Sequence, residues 1–115
     1  MEYIKNEDAP RFENSPNCTA IEYNFKDEND FNIAGIELNG RYPEEGYALN
    51  TISKELIYVK SGAGKLAGGG QQVTLKSGDA ALIQPNQKYY IEGTLELVIS
   101  SSPAWHPDQH QNILN

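Results

Sequence analysis

Short apolar runs broken by glycine, proline or asparagine turns recur roughly every ten residues, a spacing that suits a β-sandwich or β-barrel. Ala20-Ile-Glu-Tyr-Asn-Phe25 and Phe31-Asn-Ile-Ala-Gly-Ile-Glu-Leu38 alternate apolar with polar, as half-buried strands do. Leu56-Ile-Tyr-Val59 is the strongest strand, and Gly62 and Gly64 are expected to kink it into Lys65-Leu-Ala67. Gly68-Gly-Gly70, Ser77-Gly-Asp79 and Pro85-Asn-Gln87 then punctuate Gln71–Leu75, Ala80–Ile83 and Lys88–Glu92, and Gly93 precedes Leu95–Ile99. The pattern predicts about eight or nine strands. Before residue 103 no segment shows capped helical periodicity. After it, Pro103-Ala-Trp-His106 reads as a loop and Pro107–Asn112 as one or two helical turns, with Pro107 at the first helical position.

The chain has 115 residues, room for one domain and one core. Residues 1–18 read as a polar N-terminal arm that pairs with a sheet edge or packs on the outside, residues 31–103 as the body, and residues 104–115 as a C-terminal tail. Nine Lys and Arg stand against 16 Asp and Glu, a formal net charge of −7, and the cations are scattered. Such a field repels phosphate backbones and anionic lipid, so neither nucleic acid nor membrane is an expected partner. Cys18 is alone and forms no internal disulfide or thiolate cluster. Residues 1–8 lack a cationic head followed by an apolar run, and no apolar stretch reaches membrane-spanning length; a cytoplasmic location is expected.

Two stretches carry a family resemblance. Glu55, six residues and Gly62 match the second half of one motif; Gly78-Asp79, six residues after the glycine and Pro85 match another. In these the chain resembles the cupin superfamily over residues 31–103. The resemblance implies an all-β, double-stranded β-helix (jelly-roll) barrel, here with a short C-terminal helical turn, and a homodimer. In that family three histidines and a glutamate hold a metal in the lumen. Counting back from Glu55, the first histidine pair falls on Leu49 and Thr51 or on Ala48 and Asn50; counting forward from Gly40, on Gly46 and Ala48. In the second motif Gln87 stands for a glycine, Tyr90 for the histidine and Thr94 for an asparagine.

One carboxylate does not cage a transition metal, so no metal or other cofactor is expected. His106 and His110, four apart, would share a helical face but lack further ligands, and read as surface or capping residues. Strand alternation sets Glu55, Ile57 and Val59 opposite Leu56 and Tyr58. If the cupin register holds, Glu55 enters the lumen, where desolvation raises its pKa and suits it to acid–base work near neutrality. The expected catalytic pair is Glu55 and Tyr90, with Tyr47, Asn50, Thr51, Lys88 and Glu92 completing a ligand-binding lining. Trp105 is expected to plug a barrel end. Ser61-Gly-Ala-Gly-Lys65 is no phosphate loop, because Val59 and Leu66 occupy the positions that need glycine and a hydroxyl.

The function expected is a metal-free barrel binding a small polar metabolite, sugar- or carboxylate-like. Its enzymatic version is an acid–base isomerase or epimerase. The alternatives are a metal-dependent cupin enzyme with atypical ligands and a non-catalytic sensor or interaction barrel.

Overall fold

The computed structural model describes residues 1–114. Nine strands follow in chain order: β1 (Arg11–Ser15), β2 (Cys18–Tyr23), β3 (Asn32–Tyr42), β4 (Tyr47–Asn50), β5 (Lys54–Gly68), β6 (Gln71–Lys76), β7 (Ala80–Ile83), β8 (Tyr89–Ser102) and β9 (His110–Ile113). The only helical elements among the described residues are 3-10 turns at Asn6–Asp8 and Pro107–Gln109, and none could cross a membrane. The architecture is all-β, that of a cupin barrel.

The long strand β8 organises the sheet. It runs antiparallel between β3 on one side and β5 on the other, over most of its length. Beyond β3 lie β2 and then β1, while β5 carries β7 along its first half and β6 along its second. The start of β8 also meets β4 at Ala48, and β4 pairs with β9. Strands far apart in sequence thereby line one interior.

Within residues 1–18, β1 pairs with β2 at one edge of the main sheet. Two expectations are corrected here. Gly93 does not separate two strands, because β8 passes through it; β5 runs on through Gly62 and Gly64 with a register shift just before them, between Val59 and Ser61. Gly40, Gly93 and Gly64 instead form one row across β3, β8 and β5. Gly93 has φ 147°, and a side chain there would strike the carbonyl of Ala63, so the row permits close backbone approach. Finally, the tail makes a single 3-10 turn, with Pro107 in its first turn, before extending into β9. The partner edge of β4 claims residues 110–113, which outweighs the local helical tendency of so short a segment.

The core is apolar and continuous. Ile57, Val59, Leu66, Leu75, Ile83, Ile91, Leu95 and Leu97 form one cluster with Cys18, Leu38, Ala48 and Tyr89. Polar groups enter it at one end of the barrel.

Candidate functional site in the barrel lumen

A cavity of about 100 Å3 lies inside the curled sheet, room for about three waters. Ile36, Leu38, Ile91, Leu97 and Ile99 supply its apolar wall. Glu55 reaches it because alternation along β5 turns Glu55, Ile57 and Val59 inward and Leu56 and Tyr58 outward.

Glu55 is 8% exposed and Asn50 4%. Oε1 of Glu55 accepts two hydrogen bonds, from Asn50 Nδ2 at 2.9 Å and from the Tyr89 hydroxyl at 3.0 Å. Among the described residues its Oε2 has no hydrogen-bond partner. Among the described residues no polar side-chain atom is both sealed from solvent and unpartnered, so Oε2 opens on the cavity.

Asn50 continues the network outward. Its Oδ1 accepts the Trp105 indole N–H at 2.8 Å and lies 3.4 Å from His110 Nδ1. On the other side of the imidazole, Nε2 is 3.3 Å from the Tyr42 hydroxyl. The two contacts are mutually consistent for one neutral tautomer, with Nδ1–H donating to Asn50 and the Tyr42 hydroxyl donating to Nε2. Tyr42, Trp105, His110 and Asn14 also line an outer groove that carries Glu44 and Glu45, so these four residues form the mouth of the cavity.

The electrostatics follow from burial without a cation. Desolvation raises the Glu55 pKa above its ordinary 4.5, against the opposing pull of the hydrogen bonds from Tyr89 and Asn50. Burial pushes Tyr42 up to about 12 and Tyr89 well above its ordinary value, helped in both by the nearby carboxyl. The tyrosines are therefore fixed hydroxyl donors. Burial lowers His110, keeping its imidazole neutral, and pushes the Cys18 thiol up to about 11, which leaves it unreactive.

Of the residues expected from the sequence, the fold gathers Glu55 and Asn50 at the cavity and places the others elsewhere. Tyr90 lies on the outer face of β8, its ring 5.9 Å from that of Tyr47 and under the Arg41 guanidinium at 3.9 Å. Glu92 shares that face and pairs with Lys65 at 3.4 Å, and the Lys88 ammonium lies 5.4 Å from the Tyr47 ring. Thr51 sits in the turn after β4, its N–H bonded to the Gln109 carbonyl at 3.2 Å. The shift has a local cause. The left-handed position that a glycine would fill is Asn86, with φ 64°, one residue before Gln87. The motif is thus one residue shorter than its family spacing, and Tyr89 takes the inward place counted for Tyr90.

Tyr42, His110 and Trp105 enter the site from β3, β9 and the segment between β8 and β9. Trp105 closes the mouth and also donates into the network. His106 points away and pairs with Asp108 at 3.3 Å on the surface. A strand through residue 110 removes the shared helical face on which the two histidines would have met.

A resident metal does not fit these residues. Among the described residues no three of His, Cys, Asp and Glu converge. The neighbours of Glu55 are an amide and a phenol that donate to it, where a cation would need acceptors.

Comparison with known proteins gives three findings. Residues 50–99 match the cupin domain family. No curated protein matches the chain. Several solved structures share its fold. A variant of Streptomyces Pac13 with uridine is 20% identical with a TM-score of 0.86, covering 98% of this chain and 92% of that one. Pac13 is described as a nucleoside dehydratase. An RmlC-like cupin from Shewanella frigidimarina is 17% identical, TM-score 0.76, covering 94% and 95%. KdgF from Halomonas sp. is 14% identical, TM-score 0.73, covering 93% and 98%. At such identities the likeness is one of fold.

Proposed function

From a cupin barrel fold whose residues 50–99 match the cupin domain family, we propose that the lumen is a metal-independent acid–base site for a small, uncharged, hydroxyl-bearing metabolite. The observation that carries this is Glu55: a buried carboxyl with no cation beside it, two donors on one oxygen and the other oxygen open to the cavity. A group held in this way costs stability and is tuned toward neutrality, the range in which a carboxyl both takes and returns protons. As carboxylate, Oε2 accepts a proton from an acidic C–H or hydroxyl of the ligand. As the acid, it returns that proton to another ligand atom. Isomerisation by moving a proton between two ligand atoms needs no more than this exchange, and loss of water follows if the proton taken is a C–H β to a hydroxyl and the returned proton goes to that departing hydroxyl; epimerisation would need a second donor on the opposite face.

Charge and size narrow the ligand. No Lys or Arg lines the cavity or the outer groove among the described residues, while Glu22 and Glu55 face the cavity and Glu44 and Glu45 face the groove. Free carboxylates and phosphate esters are repelled there, which favours a sugar- or nucleoside-like ligand over a carboxylate-like one. The cavity takes one functional end of such a molecule, and the rest lies between Tyr42, Trp105 and His110 at the mouth. Uridine with Pac13 is a ligand of this chemistry.

The test is a titration of the full chain with uncharged nucleosides and sugars, followed at the Trp105 indole and Asn50 amide resonances. Glu55→Gln should bind these ligands comparably and lose turnover. Tighter binding of phosphate esters, or turnover untouched in Glu55→Gln, contradicts the assignment. Binding without turnover in the native chain favours a sensor barrel.

Self-association is proposed from a second surface. Leu82, Leu56 and Ile33 lie in one cross-strand row on the outer face, with Ser100 between the last two, and Ala80, Tyr58 and Val98 lie in the next. Leu56, Tyr58 and Leu82 are each about half exposed. A largely apolar, half-exposed patch on an acidic chain suits a second copy of the same face. Sedimentation of the native chain as a dimer, and of Leu56→Lys/Tyr58→Lys as a monomer, supports it; a monomeric native chain does not.

A further inference from the structure

We propose that Asn50 is a positioning residue that fixes which oxygen of Glu55 exchanges protons, and that Trp105 and His110 act through it. This rests on the lumen being the acid–base site. Asn50 Oδ1 is the shared target of two N–H groups, Trp105 Nε1 at 2.8 Å and His110 Nδ1 at 3.4 Å. An amide whose oxygen is held by two donors turns its NH2 the other way, and that way lies Glu55 Oε1 at 2.9 Å.

The Tyr89 hydroxyl approaches the same oxygen at 3.0 Å. Two donors converge on Oε1, so a proton placed there would meet them head-on. In the neutral acid the proton sits on Oε2, the oxygen that opens on the cavity. The network thus aims the O–H of the acid at the ligand.

The members come from separate places in the chain: Asn50 ends β4, Glu55 is the second residue of β5, Tyr89 begins β8, and His110 begins β9. Only the closed barrel brings them together. Trp105 therefore has a role beyond its area: its ring covers the mouth, and its N–H orients an amide that touches the reacting carboxyl.

The experiment is a 13C NMR pH titration of the Glu55 carboxyl in the full chain without ligand, comparing the native protein with Trp105→Phe and Asn50→Leu. The titratable groups around that carboxyl are Cys18 and Glu22 from β2, Tyr42 from β3, Tyr89 from β8 and His110 from β9. Tyr42, Tyr89 and Cys18 stay protonated through the useful range, and His110→Gln, run in parallel, removes the imidazole titration.

Asn50→Leu removes a donor to the carboxylate, and the Glu55 midpoint rises. Trp105→Phe keeps an aromatic ring at the mouth but removes the indole N–H with one of its two fused rings, and gives a smaller rise together with faster solvent exchange of the Asn50 NH2 protons. Loss of bulk alone would admit water and lower the Glu55 midpoint, the opposite sign. If Asn50→Leu does not fold, Trp105→Phe decides alone. Unchanged Glu55 midpoint and Asn50 exchange in folded Trp105→Phe overturn the proposal. Since no ligand is used, this outcome is separable from a lumen that binds or converts nothing.

Discussion

The hydroxyl of Tyr89 lies 3.0 Å from Oε1 of Glu55, 34 residues away in the chain, and both side chains are buried. Its neighbour Tyr90 faces the opposite side of the same strand. The difference between adjacent tyrosines sets the first prediction. Tyr89→Phe leaves Glu55 with one donor in place of two and should reduce turnover about 10–100-fold, the cost of a hydrogen bond to a charged group. Tyr90→Phe should leave turnover within about twofold, since substitutions on an outer face cost little. Steady-state rates of the two variants check this.

Glu55→Gln keeps the shape and both incoming donors but removes the ionisation. A carboxyl whose folded pKa is raised binds more protons folded than unfolded, so its contribution is full below the unfolded value of 4.5 and is lost as pH rises through the folded value. Glu55→Gln should therefore be more stable than the native chain at neutral pH, by about 1–3 kcal/mol, and the gain should vanish in acid. Urea melts across that range read it out.

His110 acts in the opposite direction. Its folded pKa is lowered from 6.5 by burial, so the unfolded chain binds more protons and stability falls as pH drops below 6.5 toward the folded value. In the Glu55→Gln background this acid-side decline should stand alone, and adding His110→Gln should abolish it. The same urea melts report the slope.

Gly93 tests the backbone row. Gly93→Ala puts a methyl against the carbonyl of Ala63 at φ 147°, a conformation L side chains rarely adopt. It should cost about 2–4 kcal/mol, whereas Gly78→Ala, with open space around it, should pay only for its positive φ. Thermal denaturation of the pair gives the difference.

Neutralising the rim tests charge selection. Glu44→Gln/Glu45→Gln should strengthen binding of a nucleoside phosphate relative to the free nucleoside by several-fold at low salt, and added salt should erase the change. Both acids are exposed, so stability should move by less than about 0.5 kcal/mol.

The strands were legible because their causes are local. Leu56 to Val59 is a short β-branched and aromatic run that favours a strand; its period of two puts Glu55 on the face of Ile57 and Val59, and the cupin register named that face as the inner one. The second half of the site was not legible by spacing, because the turn before β8 closes one residue early. Asn86 tolerates the left-handed backbone, as asparagine does, and the count that assumed a glycine at 87 reached Tyr90. Inward parity with Ile91 was the signal that pointed to Tyr89.

At the C-terminal segment the expected helical turn forms at Pro107–Gln109 but goes no further. Residues 107–112 carry weak helical cues, but the free edge of β4, some 60 residues earlier, draws His110–Ile113 into a strand. Tyr42 and His110 meet across 68 residues, and no local pattern records such a pairing. The expected lining of Tyr47, Lys88, Tyr90 and Glu92 does share a face, the outer one.

The most direct measurement is the ionisation of Glu55 itself, followed by 13C NMR on the full-length chain with Glu55→Gln to assign the signal. A lumenal acid poised for proton exchange titrates with a midpoint above 4.5, in a single step that follows the Tyr89 and Asn50 resonances. A midpoint at or below 4.5 would mean a carboxylate stabilised as an ordinary anion, and the acid–base assignment would fall.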